Sequence, residues 1–223
     1  MIWRAKFLIL GIFCMVLLPV RAALADDLNG VLQQLNAAAK NFHSITSDVE
    51  FQTITTDPIP DTDIQTGVAY YERKGNSFEM AAHIHTHNNG SSQRTYMFSD
   101  GAFRMSDTGK ESDAKTYTQA SKYESYLMLG FGASGKELQD KWNITYMGTE
   151  TVGGVKTDKL ELVAKDPNVR KTIPKVTIWM DTARAVSLKQ VFDEGDGESR
   201  VCTYTNIKLN QSLPSDAFKF AGK

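Results

Sequence analysis

Residues 64–73 read Ile64-Gln65-Thr66-Gly67-Val68-Ala69-Tyr70-Tyr71-Glu72-Arg73. The run is rich in β-branched and aromatic side chains, which predicts a strand. A strand with one wet face alternates apolar and polar residues. The segment 67–71 does not, because it is apolar or aromatic at successive positions. Thr95-Tyr96-Met97-Phe98 and Val176-Thr177-Ile178-Trp179-Met180 repeat the pattern. Both faces of these strands are therefore expected to avoid water. In an α/β protein helices would cover both sides, but this chain has too few helical stretches. A curled sheet around an apolar cavity meets the requirement with strands alone. A conventional core with some exposed rings is the other arrangement that the composition allows.

Outward from this strand the turn signals divide the chain. Strands are predicted at 46–56, 64–73, 78–87, 94–98, 103–105, 115–119, 143–147, 156–163, 176–180, 186–192 and 200–209. Asn88-Asn89-Gly90, Asp100-Gly101 and Gly153-Gly154 mark tight hairpins between them. Leu28, Val31, Leu32, Leu35, Ala39 and Phe42 recur at helical spacing behind Asp26-Asp27, so an amphipathic helix is predicted to end near Asn41. A second helical stretch is predicted around 122–129, continued by 136–141. The fold class is mainly β (α+β). It is expected to be a half-open antiparallel β-barrel of about eleven strands, with the N-terminal helix and lid helices covering a concave apolar face.

The termini and composition bound the class. Arg4 and Lys6 precede an apolar run at 7–20, and Ala23 and Ala25 suit cleavage before Asp26, so residues 1–25 read as a secretory signal peptide. The domain proper is then 26–223, expected in the periplasm. Cys14 follows Ile12-Phe13 and does not suit lipidation. Loss of 1–25 removes three cations and no acid, taking the formal charge from −1 to −4. That balance argues against nucleic acid as a partner, which requires basic patches. Cys202 is left alone, so packing rather than an internal disulfide must hold the fold.

Sharper chemistry finds little footing. Gly130-Phe131-Gly132-Ala133-Ser134-Gly135-Lys136-Glu137 departs from a phosphate-binding loop because Glu137 stands where Ser or Thr would hold Mg²⁺. His83, His85 and His87 alternate and would share one face of a regular strand, a spacing that can serve Zn²⁺ or Cu²⁺; the other reading is a solvated strand end. Asp193-Glu194-Gly195-Asp196-Gly197-Glu198 lacks calcium-loop register and reads as a hairpin tip. There is no G-x-S-x-G, and Cys202 reads as a small mid-strand hydrophobe. No catalytic residue and no cofactor are assigned.

A group of motifs, in order along the chain, resembles the outer-membrane lipoprotein carrier (LolA-like) superfamily, in its lipoprotein-sorting branch. They are residues 32–50 around Asn41-Phe42-His43-Ser44, the stretch Gly67 to Arg73, Phe98-Ser99-Asp100-Gly101, and Leu127-Met128-Leu129-Gly130-Phe131-Gly132. Residues 148–157, Ile178-Trp179-Met180-Asp181, residues 203–210 and Asp216-Ala217-Phe218-Lys219-Phe220 complete the set. The resemblance implies a monomeric periplasmic carrier or chaperone that binds acyl chains of lipoproteins, or lipid, in an apolar cavity for transfer to the outer membrane. It implies an inner-membrane release complex and an outer-membrane acceptor as partners. Arg73 matches the arginine that latches the lid, although Lys74-Gly75 follows it where the family usually has proline. Candidate cavity residues are Phe51, Tyr70, Met80, Met97, Phe98, Ile178 and Met180 on strands, with Leu127, Met128 and Phe131 in the lid segment. Methionine suits hydrocarbon of variable shape. A periplasmic lipoprotein or lipid sensor acting through protein contacts, and a secreted metal-binding protein using the three histidines, are the alternative functions. The sequence names no client, donor or acceptor.

Overall fold

A computed structural model describes residues 20–221 except 76, 119–128 and 196, with side chains from Asp27 onward. Its frame is an antiparallel sheet of twelve strands, against about eleven expected. The strands are β1 (Ser44–Thr55), β2 (Asp61–Lys74), β3 (Ser77–His87), β4 (Gly90–Ser91), β5 (Thr95–Ser99) and β6 (Ala102–Ser106). They continue as β7 (Lys115–Tyr117), β8 (Trp142–Val152), β9 (Val155–Ala164), β10 (Lys175–Asp181), β11 (Val186–Gly195) and β12 (Glu198–Leu209). The order is β7-β6-β5-β3-β2-β1-β12-β11-β10-β9-β8, with β4 paired to β3 alone. The first and last strands do not meet, so the sheet is open rather than closed into a barrel. Two joins depart from consecutive hairpins: β5 pairs with β3 past the short β4, and β1 and β12, from opposite ends of the domain, pair over most of their length.

Three helices accompany the sheet in the described residues: α1 (Val20–Ala38), α2 (Gly135–Lys141) and α3 (Pro167–Thr172). α1 gives way to a 3₁₀ turn at Ala39–Asn41, as the helical spacing predicted. The expected cleavage point before Asp26 falls within α1, and residues 1–19 lie outside the described residues. The helical stretch expected at 122–129 also lies outside them, apart from Leu129, and Leu127 and Met128 go with it.

The inner face is the one that carries α1, α2 and the two large apolar clusters. Over β8–β11, Val31 and Leu35 of α1 and Leu138 of α2 seal Leu160, Leu162, Val176, Ile178 and Met180. Over β1, β2, β3 and β5, Ile45, Tyr71, Phe78 and Phe98 pack with Phe42 and Phe131. Each such aromatic or aliphatic side chain contributes about 1.5–3 kcal/mol by leaving water.

The two-sided apolar strands need an amended account. Tyr71 and Phe98 face inward, whereas Tyr70 and Met97, one residue away, face outward. Their outer cover is the C-terminal segment, whose Phe218 and Phe220 pack on Ala81 and Met97. Its Ala217 carbonyl pairs with His83 Nε2 at 2.9 Å, and Ala221 N–H donates to Gly109 at 2.7 Å. In β10 the outward residue is Trp179, which lies between the ammonium groups of Lys159 and Lys189, each 4.9 Å from its ring centre. Separate covers on the two sides, not a single enclosed cavity, keep these strands dry.

Candidate functional site

The pleat of β1 sets the site. Ile45, Ser47, Val49, Phe51, Thr53 and Thr55 point inward, and their cross-strand partners extend the same face over β2 and β12. At the Ile45 end this face is solid. Phe131 inserts between Tyr204, 4.9 Å away edge-on, and Tyr71 at 5.9 Å, while Tyr71 stacks on Phe78 and Phe78 on Phe98. At the Phe51 end the face opens. Phe51, Ala69, Met80, Tyr96, Phe103 and Met105 are each half-buried, and Tyr117 is 49 % exposed.

Four of these rings form a row. Phe51 and Tyr96 are 6.5 Å apart at 75°, Tyr96 and Phe103 are 6.2 Å apart, and Phe103 and Tyr117 are 6.2 Å apart. Phe51 is on β1 and Tyr96 on β5, three strands away. On a flat sheet the three strand spacings alone would hold their backbones about 14 Å apart, and the offset between their positions along the strands adds to that. Rings that meet at 6.5 Å across that interval lean together on the inner side of a bent sheet. The result is an oily trough running from β1 toward the free edge at β7.

A polar chain borders the trough. Arg94 donates to the Tyr96 hydroxyl at 3.4 Å, Tyr96 to Gln65 at 2.9 Å, and Gln65 to Asp63 at 3.0 Å. Asn88 donates to Asp63 at 3.0 Å, and His87 forms a further short contact with the same carboxylate. Partial burial pushes the Asp63 pKa up, but the bonds from Gln65, His87 and Asn88 and the charge of His87 outweigh it and hold the carboxyl below its usual range.

Arg73 sits at the solid end. Its Nη2 donates to the Gly132 carbonyl at 2.5 Å, joining β2 to the 129–134 loop. That loop is itself pinned to β11: Gly132 N–H donates to Ala185, Ser187 N–H to Gly130, and Gln190 Nε2 to Leu129. Gly132 has φ +67° and lies so close to Phe42 that a Cβ would fall 2.2 Å from its ring. The loop is a packed wedge and not a phosphate cradle. At the start of α2, Ser134 and Glu137 form a reciprocal capping box, so the acid that broke the nucleotide motif already occupies the helix N-terminus.

The remaining candidate residues divide plainly. Phe51, Met80, Phe98 and Phe131 belong to the inner face around the trough. Tyr70 and Met97 belong to the outer face beneath the C-terminal segment. Ile178 and Met180 are fully buried under α1 in the other cluster. The three histidines do not share a face. An irregularity where β3 passes Thr66 and Gly67 inserts one extra residue, leaving His83 outward against Tyr70 and His87 inward against Asp63. Among the described residues no group of three His, Cys, Asp or Glu side chains is placed to hold a metal. Burial pushes the Cys202 thiol up to about 12, which leaves no thiolate for chemistry.

A separate hollow of about 430 Å³ opens on the outer side, with Asp48, Glu50, Thr66, His85, Thr203 and Thr205 among its walls. None of the candidate cavity residues lines it, and its carboxylates and hydroxyls do not suit hydrocarbon. The polar chain at Asp63 and the trough residues Tyr96, Phe103 and Tyr117 escaped the sequence reading. Their alternation was visible, but the bend that gathers them was not.

Comparison with known proteins supports the architecture. No family model matches the chain. A stretch of 90 residues is 32 % identical to an uncharacterized protein of Methanocaldococcus jannaschii, covering 40 % of this chain and 24 % of that protein. MucB, at 12 % identity, aligns with a TM-score of 0.52 over 87 % of this chain and 62 % of its own. The Pseudomonas aeruginosa MucA/MucB complex aligns at 13 % identity and a TM-score of 0.50 over 86 % of this chain and 60 % of the matched one. A putative outer membrane lipoprotein-sorting domain from Vibrio parahaemolyticus aligns at 12 % identity and a TM-score of 0.46 over 87 % of this chain and 97 % of its own. The chain thus spans about a quarter of the curated relative and about three fifths of MucB. The fold is an open antiparallel sheet like that of MucB, in keeping with the mainly β architecture expected from the sequence.

Proposed function

We propose that this protein is an exported, non-catalytic carrier that holds the hydrocarbon of lipoproteins or lipids in the inner-face trough. The observation that carries the reading is the row of half-exposed rings from Phe51 to Tyr117 on the inner side of a bent sheet. Apolar side chains gathered on a concave surface gain nothing from water, and a methylene laid over them contributes about 0.8 kcal/mol. A long acyl chain therefore gains several kcal/mol before ordering costs, with no polar contact required.

In this reading Arg73 is the latch. Its bond to Gly132 ties the Phe131 wedge to β2, and hydrocarbon advancing from the trough displaces the wedge from Tyr71 and Tyr204. The periplasmic address rests on the signal-like residues 1–25. Transfer of cargo from an inner-membrane donor to an outer-membrane acceptor rests on the resemblance.

A sensor that acts through protein contacts is the second reading, favoured by the likeness to MucB, which has been solved in complex with MucA. Solvent extraction and mass spectrometry of the purified protein test the first element of both. Stoichiometric acyl species are expected, and their absence after expression in a lipoprotein-producing host would count against cargo binding. A pull-down from membranes then divides carrier from sensor.

A further inference from the structure

We infer that the β1 end of the trough is a recognition site for the ammonium head of an amphiphile. This rests on the carrier reading above and names the class of its cargo. Phe51 and Tyr96 stand 6.5 Å apart at 75°, two aromatic walls of a corner backed by Phe103 stacked on Tyr96, and both are half-buried. An aromatic corner attracts a cation through the negative faces of its rings and most favours a weakly hydrated, alkylated ammonium. Gln65 lies between the two rings, paired to Phe51 across β1 and β2, and it accepts from the Tyr96 hydroxyl. Through Gln65 the corner connects to Oδ2 of the Asp63 carboxylate, whose other oxygen is shared by His87 and Asn88, and with Asp61 and Glu198 on the same rim it supplies the counter-charge.

The surrounding charge agrees in sign. Asp61 and Glu198 flank Thr55 on the same inner rim, and Asp63 and Arg200 flank Thr53. The two rim arginines are already engaged, Arg200 with Glu194 and Arg94 with Asp107. Of the other inward cations, Arg73 is held on Gly132 at the solid end, His87 lies against Asp63, and Lys115 sits at the opposite edge on β7. A phosphate or sulfate head would meet carboxylates here, whereas an ammonium finds two rings and an acid. The tail then runs along Tyr96, Phe103 and Tyr117 toward the free edge.

Displacement of a bound apolar fluorescent probe from the purified protein tests this with three detergents sharing a dodecyl tail, each below its micellar concentration. Dodecyltrimethylammonium is expected to displace the probe at a concentration about tenfold lower than dodecyl sulfate, with dodecyl maltoside between them. Asp63→Asn is expected to reduce that gap to within about twofold. Phe51→Leu, which also thins the trough, is expected to weaken displacement by all three detergents and in addition to remove the preference for ammonium over sulfate. Equal or better displacement by the sulfate, or a preference that survives both substitutions in folded protein, overturns the head-group site while leaving hydrocarbon binding intact. Failure of all three detergents to displace the probe overturns the carrier reading, and this site with it.

Discussion

Arg73 and Asp63 stand at opposite ends of the same inner strand, and each organises the residues around it. Arg73 reaches from β2 to a backbone carbonyl of the wedge loop. Arg73→Leu removes a charge-assisted bond and is expected to cost about 1.5–3 kcal/mol in urea unfolding. Amide exchange at Gly132 and Ala133 should accelerate before that at Leu160 or Ile178; uniform exchange across both clusters would deny Arg73 a local role. Asp63 has its pKa depressed by its hydrogen bonds, so its contribution to stability is present above the unfolded value near 3.8 and fades as pH falls through the lower folded value. The deficit of Asp63→Asn relative to wild type, read from urea midpoints, should therefore be present at pH 7 and shrink toward pH 2. A sequence motif singled out Arg73, and in the structure its guanidinium meets the Gly132 carbonyl. Tyr70 and Met97 were misplaced because a strand apolar on both sides gives no sign of which parity faces inward. The histidine row was misread because an inserted residue in β3 shifts parity, and nothing in the sequence announces it.

At the scale of elements, the turns were the most legible feature. Asn88 and Asn89 both have positive φ, as do Asp100 with Gly101 and Gly153 with Gly154, and each pair closes the hairpin that its residue types predicted. The wedge at 129–134 was less so. Its glycines look like a broken nucleotide motif in one dimension, whereas in three they let the backbone pass against Phe42, Ser187 and Leu32. Gly132→Ala meets both a left-handed φ and the Phe42 ring, and should lose about 2 kcal/mol or more. Gly75→Ala is the control, because its φ is similarly positive while nothing crowds its Cβ, so it should lose only about 1 kcal/mol. Equal losses, measured by thermal unfolding, would mean that the wedge is not tightly seated.

On the scale of the whole molecule, the sheet has a solid half and an open half. Over β8–β11 the helices complete a core, and over β1, β5 and β6 the rings lean together and remain partly exposed. The apolar surplus that pointed to a hollow was real, but part of it serves the outer face, where the C-terminal segment and two lysines lie over it. Fold class was legible because hairpin after hairpin of strand-forming sequence leaves few architectures. The site was only partly legible because curvature, not composition, brings Phe51 to Tyr96.

The most direct test is photocrosslinking with an uncharged monoacylglycerol that carries a diazirine at mid-chain, followed by peptide mapping. Labelling is predicted on peptides of β1, β5 and β6 containing Phe51, Tyr96 and Phe103, competed by unlabelled monopalmitoylglycerol. Adducts confined to the outer hollow around Asp48, Glu50 and His85, or no labelling above an unfolded control, would contradict a carrier built on the inner face.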